Sequence, residues 1–280
     1  MPVPFPFTTF GANRSSAGGG GGCDITAGDN LNHWWKLNTG NVSATDEGTT
    51  AVARHDLTFT ADSSVVTTAT NGDHSGTEDV NIFNGTNAFG ESISGGIEDS
   101  IAICAFSVSF WVKLTAAPAG SSPYYGPWIC MINGNGGGSN GWGVGFGGAD
   151  AANPDEIRFW TGNGYTTQYA SIARPVVDEW TNIVCTYDFN ADPKVRMIYK
   201  DGVAGTNIAT YNAWGGDPCG GVTQRAGDYY FTIASWGGRQ ADSPNALTEC
   251  ELGDFRIYDI CLTEEQAQNI YCEGSGDTWP

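Results

Sequence analysis

The sequence predicts an all-β protein, an antiparallel β-sandwich or jelly roll with one short C-terminal helix and an extended N-terminal arm. Three observations carry this. Forty glycines and ten tryptophans stand beside only 15% charged residues, a composition of many turns and short aromatic strands. Apolar residues recur with period two in successive runs separated by turn residues. Helical spacing behind a capping pattern appears once, close to the C-terminus.

At 280 residues the chain has room for one large all-β domain or two smaller ones, and the run of strands favours one, residues 31–280. Residues 1–30 read as the arm. Val3-Pro4-Phe5-Pro6-Phe7 favours extended or polyproline-like backbone, and Gly18 to Gly22 is a flexible hinge.

The clearest strand is Phe106–Leu114. Phe106, Val108, Phe110, Val112 and Leu114 share one face and Ser107, Ser109, Trp111 and Lys113 the other, the pattern of a half-buried strand. Glu156-Ile157-Arg158-Phe159-Trp160 alternates more briefly. Trp180–Tyr187 places Ile183, Cys185 and Tyr187 together. Lys194–Lys200 runs into Asp201-Gly202, a hairpin turn signal. Tyr229–Ser235 and Phe255–Tyr258 follow. The helix opens at Thr263, with Gln266 completing a capping box, Glu264 and Glu265 in the first turn, and Ala267, Ile270 and Tyr271 as its apolar stripe.

A net charge of −19 repels phosphate backbones, which argues against nucleic-acid binding. No apolar run is long enough to cross a bilayer. The N-terminus has neither a basic segment nor an unbroken apolar run, so no secretory signal peptide is expected. None of the eight cysteines makes a C-x-x-C pair, so zinc is disfavoured. Most are expected to be small buried hydrophobes. Cys261 and Cys272, which bracket the helix, are the first pair to test for a bridge.

Several segments, taken in order, resemble the laminin-G-like members of the concanavalin A-like jelly-roll superfamily. His33-Trp34-Trp35-Lys36-Leu37, Asp46-Glu47-Gly48 and Asp56-Leu57-Thr58-Phe59 are similar to the family's opening strand and its D-x-x-G … L-T loop. Ile82-Phe83-Asn84-Gly85, Phe106–Val112, Trp180–Val184 with Tyr199–Gly202, and Leu252–Asp259 with Leu262–Glu265 resemble its later strands, in the family's order. The resemblance spans roughly 31–273. It implies two antiparallel sheets packed face to face, one of them concave. It also implies a structural calcium ion held outside the sandwich, with Asp254 as ligand and the Asn84-Gly85 turn beside it, although the family carries aspartate where Asn84 stands.

Candidate chemistry was sought in four places. Some relatives of this fold are β-glucanases, which need E-x-D-x-x-E. The nearest match is Glu249-Cys250-Glu251-Leu252-Gly253-Asp254, on the closing strand rather than a cleft strand. Gly137-Gly138-Ser139-Asn140-Gly141 fits G-x-S-x-G by letter only, without a following helix or a downstream histidine. His33, His55 and His74 show no ligand spacing and are expected at the surface or in turns.

Glycan binding is the fourth candidate. Sugars stack their apolar C–H faces on aromatic rings. Tyr124, Tyr125 and Trp128, Trp160 with Tyr165 and Tyr169, Tyr211 with Trp214, and Trp236 lie in or beside expected loops where they would rim a concave face. Tyr124, Tyr125, Trp128, Trp214 and Trp236 are the chosen candidates. Trp111, Trp142 and Trp180 read as packing.

The arm needs an anchor, because it buries too little to offset a chain entropy of about 1–2 kcal/mol per residue. Phe5, Phe7 and Phe10 among prolines are suited to dock on a neighbour. The leading expectation is therefore a non-enzymatic structural protein of a bacteriophage-like particle: a head decoration, fibre component or tail-associated adhesin on the virion surface. It would be present as a homo-oligomer or in repeated copies, gripping other subunits by its arm and offering its jelly roll to host-surface glycans. The alternative is an extracellular carbohydrate-binding module. The third reading is a glycan hydrolase acting through Glu249 or Glu251.

Overall fold

The computed structural model describes residues 30–38, 43–48, 56–59, 67–69, 79–84, 90–92, 104–118, 128–134, 140–146, 155–163, 167–192, 195–205, 229–234 and 249–271. The strands in chain order are β1 Leu31–Trp35, β2 Leu57–Phe59, β3 Thr67–Ala69, β4 Val80–Asn84, β5 Gly90–Ser92, β6 Ala105–Leu114, β7 Trp128–Gly134 and β8 Asn140–Phe146. Then follow β9 Glu156–Asn163, β10 Thr167–Ala173, β11 Trp180–Asp188, β12 Val195–Lys200, β13 Val203–Ala204, β14 Tyr229–Ile233 and β15 Glu249–Tyr258, closed by helix α1 Glu264–Tyr271.

These strands form two antiparallel sheets. One has eight strands, in the order β13-β12-β11-β6-β15-β4-β3 with β1 also on β15. The other has seven, in the order β10-β9-β8-β7-β14-β5-β2. Their facing sides make the core. Trp35 stacks on Phe231 at 5.3 Å and Phe110 lies parallel to Phe255 at 5.3 Å. Phe106 meets Trp142 at 5.2 Å, so the aromatic excess seen in the composition is spent between the sheets. One buried cation crosses the layer near the sheet edge. Arg196 of β12 donates through Nε, at 2.9 Å, and Nη2 to Thr161 of β9. Burial lowers its pKa to about 10.

The turn and cap chemistry matches the sequence. Asp201 and Gly202 both have positive φ, 51° and 72°, as a type I′ hairpin turn requires, and Asp201 Oδ1 accepts a hydrogen bond from Asn182 N. Thr263 N donates to Gln266 Oε1 at 2.9 Å and Gln266 N to Thr263 Oγ1 at 3.2 Å, the reciprocal capping box.

Three expectations are corrected. The second face of β6 is not open to water: Ser107, Ser109 and Trp111 are buried. The chain after β15 folds back over it. Ser107 Oγ donates to Ile260 O and accepts from Leu262 N, and Trp111 packs on Tyr271 of α1. A second apolar cluster of Leu31, Val184, Tyr199, Tyr258, Leu262 and Ile270 fills the space between sheet and helix. His33 is fully buried rather than exposed. Its Nδ1 lies 2.6 Å from Asp46 Oδ2, while Asp46 Oδ1 accepts from Trp34 N and Gly48 N, so the pair pins the opening strand to the following loop. His55 and His74 lie outside the described residues. Cys261 is a free thiol, so it does not bridge to Cys272. Cys104 is disulfide-bonded instead, to a partner outside the described residues, while Cys130, Cys185 and Cys250 are free and buried as expected.

Candidate functional site

The predicted site residues fall into three groups. Phe5, Phe7, Phe10, Gly85, Tyr124, Tyr125, Trp214 and Trp236 lie outside the described residues. Asn84 and Asp254 are described but are not brought together. In the ladder between β4 and β15, Asn84 pairs with Glu249, five residues from Asp254 and hence roughly 16 Å along the strand.

The backbone explains where Asp254 points. The β15–β6 register breaks between Gly253 and Arg256, a bulge at which Asp254 adopts φ 53° and its N donates to Lys36 O. The bulge turns the carboxylate sideways, where Oδ1 accepts from Arg256 Nε at 3.0 Å, Arg256 Nη2 at 2.7 Å and Trp34 Nε1 at 2.6 Å. Arg256 and Trp34 take up Oδ1 of Asp254, and Asn84 stands well away along the strand, so these two residues do not by themselves make a cation site. Among the described residues no cluster of three or more acidic, histidine or cysteine side chains is placed to hold a metal.

Trp128 does enter an aromatic group, but not as a rim. It begins β7 rather than sitting in a loop and is 6% exposed, because its six-membered ring lies across Gly143 of β8. A Cβ on Gly143 would come within 2.9 Å of the Trp128 ring and 3.1 Å of Cys130 O. Glycine is required there by that close approach. Trp160 stands next to Trp128, with ring centroids 6.0 Å apart, and Tyr169 next to Trp160 at 5.1 Å. Trp160 and Tyr169, expected in or beside loops, lie mid-strand and directly opposite one another on β9 and β10.

Strand alternation puts this group on the outer face of the seven-stranded sheet. On β9, Ile157 and Phe159 enter the core, while Glu156, Arg158 and Trp160 face away from it. Across the ladder Tyr169 pairs with Trp160 and Trp160 with Gly143; in the next row Ser171 pairs with Arg158 and Arg158 with Gly145. Trp160 and Tyr169 are partly exposed, and Trp128, Arg158 and Ser171 are buried around them. The Arg158 guanidinium lies 4.4 Å from the Tyr169 ring centre and 6.0 Å from that of Trp160. Glu156 Oε2 stands 3.4 Å from Arg158 Nε, near enough for charge attraction but not in hydrogen-bond geometry.

The signal for this group was present in Glu156–Trp160, whose alternate residues are all polar or aromatic. The alternation marks a strand, and its outward residues share a polar or aromatic character that the strand pattern alone does not assign to a site.

The acidic run on β15 is also placed. Glu251 is buried and 2.7 Å from Lys113 Nζ, and Glu249 accepts a hydrogen bond from Thr115 at 3.1 Å.

Residues 98–268 match the family described as the concanavalin A-like lectin/glucanases superfamily. No curated protein matches the chain. Among solved structures, it is similar to the binding domain of botulinum neurotoxin serotype D/C (TM-score 0.58, 12% identity), covering 89% of this chain and 53% of that one. A second similar structure is a botulinum neurotoxin DC binding domain in complex with rat synaptotagmin II (TM-score 0.57, 14% identity, 89% and 53%). A third is Trypanosoma rangeli sialidase (TM-score 0.54, 14% identity, 87% and 32%). The chain thus spans about half the length of the neurotoxin domains and a third of the sialidase, and at these identities the likeness is one of fold.

Proposed function

Because the chain belongs to the concanavalin A-like lectin/glucanase superfamily, we propose that it is a non-enzymatic glycan-binding protein working through the outer face of its seven-stranded sheet. The observation that carries this reading is the partly exposed Trp160–Tyr169 pair, 5.1 Å between centroids and seated beside the glycine floor of β8. Two adjacent rings held mid-strand offer a preorganised platform for the C–H face of a sugar, and a strand positions them more rigidly than a loop. The fold alone leaves binding and hydrolysis open, since a sialidase shares it. The residues favour binding. Glu251 is tied to Lys113, Glu249 to Thr115, and Asp254 to Arg256 and Trp34, so the nearest match to a glucanase triad is absorbed in structural contacts.

Glycan-array screening followed by titration calorimetry tests the reading. Trp160→Ala is expected to weaken binding by about tenfold or more while circular dichroism stays unchanged. Undiminished binding by folded Trp160→Ala and Tyr169→Ala, or release of reducing sugar by the wild-type chain, overturns it.

The finer proposal concerns where such a protein works. A segment carrying Phe5, Phe7 and Phe10 among prolines, ahead of a glycine run, suits attachment to neighbouring subunits, and repeated display strengthens weak sugar contacts. On these grounds we place the protein on the surface of a phage-like particle. Deleting residues 1–22 should abolish incorporation and leave the domain folded; assembly of the truncated chain would count against this placement.

A further inference from the structure

We propose that this face selects acidic glycans, sugars that carry a carboxylate, and that Arg158 is the residue that recognises them. The inference rests on the reading of the face as a glycan site and names the ligand class within it.

Arg158 is 3% exposed, and among the described residues its Nε and Nη1 are buried without donating to an acceptor. Guanidinium groups buried to this degree are ordinarily matched by hydrogen bonds, because unused donors carry the full cost of desolvation. Here the compensation is partial. The Tyr169 ring face at 4.4 Å attracts the charge, and Glu156 approaches to 3.4 Å without completing a hydrogen bond. Each of the two donors, Nε and Nη1, shares an edge of the planar guanidinium with Nη2, and such an edge is a fork that matches a carboxylate bidentately, whereas a neutral hydroxyl meets only one donor. A sugar stacked on Trp160 and Tyr169 would bring a ring substituent beside this fork, and a carboxylate there would take the place of Glu156 as its partner.

The overall charge makes the inference sharper. With 12 basic residues against 31 acidic ones, the protein repels anions at a distance, so any preference for an acidic sugar must come from a short-range contact.

The test uses the full chain, titrated with a galacturonic acid trisaccharide and with the neutral galactose trisaccharide of the same linkage. Expected is a preference of about tenfold or more for the acidic sugar. Arg158→Gln should remove the preference by weakening the acidic sugar alone, and Arg158→Lys, which keeps the charge without the fork, should lose part of it. Glu156→Gln should tighten the acidic sugar by removing its competitor. Trp160→Ala should weaken both sugars. Equal affinity for the two trisaccharides, or equal weakening of both by Arg158→Gln, overturns the inference while leaving the glycan site intact. Should Arg158→Gln not fold, Glu156→Gln decides, and no gain for the acidic sugar refutes the assignment. Absence of binding to either sugar and to every glycan on an array brings down both readings together.

Discussion

The outer faces of the two sheets each carry an arginine stacked on an aromatic ring, and the two are equally buried. Arg256, on the eight-stranded sheet, lies 4.7 Å from the Trp34 ring centre and is 3% exposed; Arg158, on the seven-stranded sheet, lies 4.4 Å from that of Tyr169 and is also 3% exposed. The difference is in the partners. Arg256 donates twice to Asp254, which a bulge has turned to meet it, and Asp254 also takes the Trp34 indole N–H. Arg158 has a glutamate nearby that it does not hydrogen-bond. A closed network stabilises the fold, whereas an open one leaves buried donors able to take a partner from outside the fold. The rest of each face agrees. The eight-stranded sheet is capped by α1 and a second apolar cluster, while the seven-stranded sheet presents two partly exposed rings.

The contrast is most easily broken at Asp254. Asp254→Asn keeps a residue that tolerates the left-handed backbone conformation and takes the carboxylate charge away from the buried Arg256. Removing the carboxylate from a buried pair in this way costs up to about 3 kcal/mol, with Asp254 partly exposed and the effect at the low end of the range, and lowers the thermal midpoint by up to roughly 6 °C. A midpoint within 1 °C of wild type, by differential scanning calorimetry at roughly this precision, would mean that Arg256 is no better compensated than Arg158.

How much of this was legible in the sequence follows from the range of the interactions concerned. Phe106–Leu114, the Asp201-Gly202 turn and the Thr263–Gln266 cap depend on neighbours within a few residues, and all three stand where the pattern puts them. The burial of the Ser107 face did not follow from its alternation, because it depends on Ile260 and Leu262, over 150 positions away. His33 looked like a surface residue because nothing local announces Asp46 as its buried partner. Among the chosen aromatic candidates, Trp128 is placed as packing. The ring pair at the surface, Trp160 and Tyr169, comes from the weaker runs, because strand pairing between β9 and β10 creates it. The Asp254 bulge has no composition signal except Gly253 before it, so a cation ligand and an arginine partner read alike in one dimension.

Gly143 sharpens the comparison from the other side, since it forms the floor beneath Trp128 on the aromatic face. Gly143→Ala places a methyl 2.9 Å from the Trp128 ring and 3.1 Å from Cys130 O. The ring must tilt and the backbone carbonyl cannot, so the change should cost about 1–2 kcal/mol as overpacking. A tilted Trp128 also disturbs Trp160, its neighbour at 6.0 Å. Intrinsic tryptophan fluorescence should shift with the loss of stability, and glycan affinity should fall with it. Unchanged fluorescence together with unchanged affinity would show that the floor does not support the rings.

The smallest effect is expected at Arg158 itself, and it is the most diagnostic. In Arg158→Met the side chain keeps an unbranched apolar stem out to about the position of Nε but loses the guanidinium, a charge that the fold does not hydrogen-bond at Nε or Nη1. On one side the variant forfeits attraction to the Tyr169 ring, about 0.5–2 kcal/mol, and attraction to Glu156, whose side chain is 21% exposed and free to turn to water. On the other side it removes the desolvation cost of unused donors, about 1–3 kcal/mol. These terms oppose and are of similar size, so urea unfolding should place the variant within about 1 kcal/mol of wild type. A loss matching that of Asp254→Asn would make Arg158 a structural arginine like Arg256, held by contacts the fold requires. A neutral or stabilising substitution would mean that the fold keeps Arg158 at no benefit to itself, the signature of a residue retained for what it binds.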